Sequence, residues 1–128
     1  VTCWGSGEPY REFMHVDDLA ESVVFALEKW NPNAKYSPRD NHDIPLTYLN
    51  VGTGKDLSIK ELSLKIANAT NFKGEILWDK TKPDGNPRKL LDSTIINNLG
   101  WNSITPLSEG LDKTYQWYKE NYKKIRKD

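Results

Sequence analysis

Apolar and polar positions along the chain follow two periods, and the switches between them mark the elements. Val1 to Trp4 is a short apolar run that predicts the end of a strand. Gly5-Ser6-Gly7-Glu8-Pro9 then turns the chain back into a second run, Phe13 to Val16, so the two runs are expected to flank a hairpin-like excursion. Beyond it the spacing changes to the helical one: Val16, Leu19, Ala20, Val23, Val24, Leu27 and Trp30 share a face, and Asp18 followed by Glu21 has capping-box spacing. A helix opening at Asp17-Asp18 is therefore predicted. Thr47 to Val51 has strand character and ends at Gly52-Thr53-Gly54. Ser58 and Glu61 form a second capping box, opening a helix with Ile59, Leu62, Ile66 and Ala69 inward and its end near Asn71. Glu75 to Trp78 reads as a strand, and Asp92-Ser93-Thr94 as the cap of a short helix carrying Ile95, Ile96 and Leu99 up to Gly100. Thr105-Pro106 starts a last helix with Leu107, Leu111, Tyr115, Tyr118 and Tyr122 as its buried stripe, followed by a basic, frayed tail from Lys123 to Asp128.

Short strands alternating with about four helices, without repeats or low-complexity segments, indicate the α/β class. The stretch from Asn31 to Pro45 is rich in Asn, Pro, Asp and Lys and is expected to be a surface loop. At 128 residues the chain is at most one domain, small for a complete cofactor-dependent enzyme. It starts at Val1 inside an apolar run, which suggests a piece of a longer protein. The 18 basic and 18 acidic residues cancel, so no overall field favours nucleic acid or an anionic membrane, and any anion binding must be local. A single cysteine, Cys3, fits a reducing compartment, and no apolar run approaches the ~20 residues of a membrane span. A cytoplasmic protein with neither nucleic-acid nor membrane partners is expected.

The most promising chemistry lies between Trp78 and Asp92. A strand-like run there ends in Lys82-Pro83-Asp84-Gly85-Asn86-Pro87, whose two prolines and glycine restrict the backbone beneath charged side chains. Asp84 can accept from a base or ribose hydroxyl, and Arg88 and Lys89 can neutralise phosphate; a solvated charged turn is the competing reading. Trp4 and Arg11 flank the glycine-rich turn, where an indole can stack and a guanidinium can fork onto phosphate, or where Trp4 simply packs. Gly52-Thr53-Gly54 could contact an anion, but two glycines with no following Gly-Lys pair fit a plain strand-to-helix turn better. No metal site is expected: His42 with Asp40 and Asp43 is the one cluster, in a loop, and His15 reads as structural. Asp17 and Asp18 are placed for capping rather than acid–base work. Ser6, Ser58, Ser93 and Cys3 lack the surroundings of a nucleophile.

Taken in order, TCWGSGEPYREFMHVDDLA, LNVGTGKDLSIKEL, GEILWDKTKPDGNPRKLLD, LGW and TYQWYKENY resemble, almost end to end, the C-terminal part of the GDP-L-fucose synthases. These are epimerase/reductases of the extended short-chain dehydrogenase/reductase family. The Arg-Glu-Phe-Met-His-Val-Asp-Asp run is common to many sugar-nucleotide epimerases and dehydratases, whereas Trp-Gly-Ser-Gly and Lys-Pro-Asp-Gly-Asn-Pro-Arg-Lys-Leu-Leu-Asp are far more specific. The resemblance implies a Rossmann-type parent, of which residues 1–128 form the substrate-binding lobe, with elements at about 13–30 and 47–52 returning to a cofactor domain. It implies a GDP-linked 4-keto-6-deoxy sugar as substrate, epimerised and then reduced with NADP(H), and a homodimer formed through the cofactor domain. Trp4, Arg11, Asp84 and Lys89 match substrate-binding positions of the family, with Arg11 and Lys89 towards the diphosphate and Arg88 as an additional phosphate contact. Whether Trp4 or Asp84 lies nearer the guanine stays open. The family's dinucleotide loop and its reduction and epimerisation residues have no counterpart here; neither Cys3 nor His15 matches them. No catalytic residue is therefore expected in this chain, and alone it should be inactive. The alternatives are the substrate lobe of another sugar-nucleotide epimerase or dehydratase, or a stand-alone non-catalytic nucleotide-sugar binding module.

Overall fold

Where the chain forms strands is decided by which segments find a partner. In the computed structural model, which describes residues 1–125, strand β1 (Thr2–Trp4) pairs in parallel with β4 (Leu77–Asp79). Strand β2 (Tyr10–Glu12) pairs in parallel with β5 (Arg88–Lys89), and β3 (Asp56–Ser58) lies on its other side. The two N-terminal strands are thus not a hairpin. Each takes a partner from the region after residue 76, and the second strand falls at Tyr10–Glu12 instead of Phe13 to Val16. The expected strand at Thr47 to Val51 does not form, because no neighbouring segment pairs with it among the described residues and an unpaired strand leaves its backbone groups unsatisfied. The sequence reading missed β3 and β5, two or three residues each.

The described residues gather into two compact units. The first contains Val1–Arg11, Leu57–Lys89 and the described residues from Thr105 onward; the second contains Glu12–Asp56 and Leu90–Ile104. In the first, helix α2 (Ile59–Ala69) packs against helix α4 (Leu107–Asn121). The predicted capping box of α2 is present: Ser58 Oγ accepts from the Glu61 N–H at 3.1 Å and Glu61 Oε2 accepts from the Ser58 N–H at 2.8 Å. These bonds also hold the Glu61 carboxyl below its ordinary pKa, the backbone bond from Ser58 contributing most. Helix α4 begins after Pro106, whose fixed φ suits a helix entry and which takes the N-cap position expected for Thr105. Its expected stripe is only partly covered, since Tyr118 and Tyr122 are exposed.

In the second unit, helix α1 (Val16–Lys29) is capped by His15, whose Nδ1 accepts from the Asp17 N–H at 3.3 Å. Asp18 does not cap. It is 2% exposed, and its Oδ2 accepts from the Ile104 N–H at 3.1 Å. The helix is amphipathic as read, but this unit covers its Asp18 and Ser22 side, while Leu19, Val23, Val24 and Leu27 are exposed, Leu27 by 82%. Helix α3 (Thr94–Leu99) is entered through Asp92, whose Oδ1 accepts from the Thr94 N–H at 2.9 Å and whose carboxyl is held below its ordinary pKa by its bonds to Thr94, that to the side chain first. It ends at Gly100, which has φ 110°, with the Trp101 N–H returning to the Ile96 carbonyl. Ile96 and Trp101 are the buried apolar side chains of the unit. Loop 31–45 carries one antiparallel bridge, Arg39 with Pro45. The basic tail expected from Lys123 to Asp128 reaches residues 126–128, which lie outside the described residues.

Gly7 shows how tightly the first unit is closed. It has φ 80°, and a Cβ there would lie 2.6 Å from the Trp78 ring. Gly7→Ala should lower stability by roughly 2 kcal/mol or more, from left-handed backbone strain and overpacking together. Urea denaturation of the two proteins measures this; equal midpoints would refute it.

Candidate binding site

The first unit draws the turn at residues 5–9 between two other segments. The Gly5 N–H donates to the Asp79 carbonyl at 3.0 Å, at the end of the β1 and β4 pair, and the Tyr10 N–H donates to the Pro87 carbonyl at 2.8 Å. The first N–H groups of α2 also close on this turn: Ile59 donates to the Pro9 carbonyl at 3.0 Å and Lys60 to the Gly7 carbonyl at 2.9 Å. Helix N-terminal donors need partners outside the helix, and the turn provides them.

Opposite lies the loop after β4. Asp79 Oδ1 accepts from the Thr81 N–H at 3.0 Å, and the Asp79 carbonyl accepts from the Lys82 N–H at 3.2 Å, which folds the chain sharply before Pro83. The two segments lock through one carboxylate. Asp84 Oδ1 accepts from the Ser6 N–H at 2.8 Å and Asp84 Oδ2 from Ser6 Oγ at 2.6 Å. The Ser6 hydroxyl and then the Ser6 amide hold the Asp84 carboxyl below its ordinary pKa, so it is an anion at neutral pH. Gly5 must be glycine here: at φ 81°, a Cβ would collide with Asp84 Oδ1.

Between turn and loop is a cavity of about 120 Å³ lined by Trp4, Gly7, Pro9, Arg11, Ile59, Pro83, Asp84 and Gly85. Three of the residues expected to bind substrate, Trp4, Arg11 and Asp84, are thereby brought together. The Arg11 Nη1 donates to the Tyr10 carbonyl at 2.6 Å, and Gly85 lies so close that a Cβ on it would stand 3.0 Å from Arg11 Nη2. The guanidinium makes no other hydrogen bond among the described residues. Trp4 is 74% exposed at the rim, with Lys82 Nζ 5.5 Å above its ring. Trp4 therefore does not pack into a core. Lys89 is in register with Arg11 one strand over, and Arg88 with Tyr10, but neither lines the cavity.

The sequence reading missed Ser6 as a site residue, along with Pro9 and Ile59. Nothing local signals that Ser6 meets Asp84; the pairing depends on β1 and β4 aligning. Gly52-Thr53-Gly54, weighed as an anion contact, is already served by an internal anion. Glu12 Oε1 accepts from the Gly54 N–H at 2.7 Å and from Thr53 Oγ1 at 3.2 Å. The turn leads into β3, not directly into a helix. Among the described residues no group of three or more His, Cys, Asp or Glu converges as a metal site would, and no helix is long and apolar enough to cross a membrane.

Residues 1–52 match the NAD dependent epimerase/dehydratase family. Across 94% of its length the chain is 45% identical to a probable GDP-L-fucose synthase 1 of Oryza sativa subsp. japonica, and it spans 33% of that protein. Among solved structures, a GDP-6-OMe-4-keto-L-xylo-heptose reductase from C. jejuni superposes with a TM-score of 0.84 at 36% identity, over 94% of this chain and 34% of that one. A GDP-L-fucose synthetase from Naegleria fowleri bound to NADP superposes at 0.77 with 26% identity, over 98% of this chain and 36% of that one. By sequence and by fold, the chain is similar over nearly all of its length to about one third of an extended short-chain dehydrogenase/reductase of the GDP-L-fucose synthase kind.

Proposed function

We propose that this chain is the GDP-sugar-binding, C-terminal part of an NADPH-dependent 3,5-epimerase/4-reductase that converts GDP-4-keto-6-deoxy-D-mannose to GDP-L-fucose. The observation that carries the reading is the meeting of Trp4, Arg11 and Asp84, from two distant stretches, around one cavity. An indole, a guanidinium and a fixed carboxylate are the groups that a nucleotide diphosphate needs: a plane for a ring, a fork for phosphate, and an acceptor for hydroxyl or N–H donors. Lys89, beside Arg11, and Arg88 add positive charge further along the phosphates. These residues bind, orient and neutralise; on this reading none is catalytic, and the chain alone is inactive.

The reaction also needs NADP(H), which supplies the hydride. The residues present do not fit it. The two glycine turns are short, and the Gly54 N–H that could meet a pyrophosphate is bonded to Glu12. The cofactor is therefore held by residues outside this chain. The uncovered apolar stripe of α1 supports a packing of residues 13–30, with 47–52, on that cofactor-binding part, since apolar faces of this kind are ordinarily covered. The complete protein is read as a cytoplasmic homodimer joined through its cofactor domain. A second reading, a reductase of another GDP-linked 4-keto sugar, is favoured by the likeness to the heptose reductase. Assay of the complete protein with GDP-4-keto-6-deoxy-D-mannose and with other GDP-linked 4-keto sugars decides between the two readings, and turnover of only UDP- or dTDP-linked sugars would refute both.

In the complete protein, Arg11→Ala should weaken GDP-sugar binding by about tenfold or more, the value of a lost charge-assisted hydrogen bond, and leave NADPH affinity unchanged. Calorimetry with each ligand reports this, and an unchanged KM and kcat for the sugar nucleotide would sink the assignment.

Because the folded-state pKa of Asp84 is depressed, its contribution is complete above the ordinary aspartate value of 3.8 and is lost as pH falls through the lower folded value. Ser6→Ala removes the larger of the two causes. The acid limb of the pH profile of GDP-sugar affinity should shift upward, with affinity at pH 7 down about threefold for one hydrogen bond. An acid limb that does not move would show that Ser6 has no hold on the carboxylate.

A further inference from the structure

We propose that Lys82 is an anion-binding residue of this site, parked on the Trp4 indole and released to the ligand's phosphates when a planar ring takes its place. The proposal rests on the reading of the ligand as a nucleotide-diphosphate sugar. The cavity of about 120 Å³ is well short of the roughly 300 Å³ at which drug-sized ligand pockets begin, so such a ligand must run out over the rim. At the rim the exposed apolar plane is Trp4, and Lys82 Nζ stands 5.5 Å over its ring.

This contact differs from the other cation and ring pairs among the described residues. Lys35 with Tyr36, Lys119 with Tyr115 and Lys123 with Tyr122 are chain or helix neighbours. Lys82 and Trp4 come from separate strand ends and are brought together by the pairing of β1 with β4. The backbone of Lys82 is anchored, its N–H donating to the Asp79 carbonyl, and Pro83 follows it directly into the cavity wall. The side chain beyond is a flexible four-carbon stem with an ammonium that has no carboxylate partner among the described residues. An exposed cation over an aromatic face is weakly held, whereas a base stacked on that face excludes water from both planes. Ammonium and base compete for one surface. Once displaced, the ammonium lies beside a ligand carrying two phosphates and becomes a further cation beside Arg11, Lys89 and Arg88.

The test uses the complete protein and three variants, with guanosine and GDP titrated by calorimetry at two salt concentrations. Lys82→Met, which keeps an apolar stem without the charge, should bind GDP about tenfold more weakly. It should bind guanosine as well as the wild type or up to about threefold better, because nothing need be displaced. Its GDP affinity should also fall less steeply with salt. Lys82→Arg should recover GDP binding, and Trp4→Ala should lose guanosine and GDP together. GDP affinity of Lys82→Met within twofold of wild type, or an equal loss for guanosine and GDP, would overturn the role of Lys82 while leaving the GDP-sugar reading intact. A wild-type protein that binds neither GDP nor guanosine would overturn both.

Discussion

The site depends on one carboxylate held by two donors from the same residue. Asp84 accepts both the amide and the hydroxyl of Ser6, across 78 positions of sequence, and this closes the glycine-rich turn onto the proline-bounded loop. Every other feature of the cavity presupposes that closure. Gly5 has no room for a side chain because Asp84 is there, and Gly85 brings its backbone against Arg11 because the loop is drawn in. A charge-assisted bond at each oxygen also removes the rotational freedom that a surface aspartate would otherwise have.

The second unit is organised in the same manner around Glu12. Its Oε1 takes Thr53 and Gly54, its Oε2 takes the Leu91 N–H at 3.2 Å, and a Cβ on Gly52 would lie 2.6 Å from Oε1. Glu12 directly follows Arg11, and β2 alternates the directions of its side chains, so neighbouring residues of one strand serve different ends: one lines the cavity, the other ties loops together. This explains why a glycine turn that might hold an anion does not: the chain has supplied its own.

How far the sequence disclosed this follows from which forces are local. The helices were readable because capping and the 3.6-residue period are written within a few positions, as Ser58 with Glu61 and Gly100 after Leu99 show. Caps failed where a tertiary contact claimed the residue, as when Asp18 turned to Ile104 and left His15 to cap. Strands were less readable because they are made by partners. Thr47 to Val51 has the composition and no partner, whereas Arg88–Lys89 has poor composition and pairs with β2. Trp4, Arg11 and Asp84 could be named individually from residue chemistry and motif resemblance, but Ser6 could not, since its role exists only once β1 and β4 lie side by side.

The 18 acidic and 18 basic residues of this chain cancel, so on the proposed reading its own part in selecting an anionic ligand arises at contact. The arrangement in the first unit meets that demand by keeping both signs close together. Arg11 lines the cavity, Lys82 stands over the Trp4 ring at its rim, and the bonds from Ser6 hold the Asp84 carboxyl below its ordinary pKa. Free phosphate would satisfy the cations and be repelled by Asp84; a neutral sugar would satisfy Asp84 and leave the cations unpaired. A molecule carrying phosphates at one end and hydroxyl or N–H donors at the other satisfies both, and each mismatch leaves a charged group without its partner. If the ligand is the proposed nucleotide-diphosphate sugar, mixed charge is the selective feature of the cavity, and a tethered aspartate is what sets it apart from a general phosphate site.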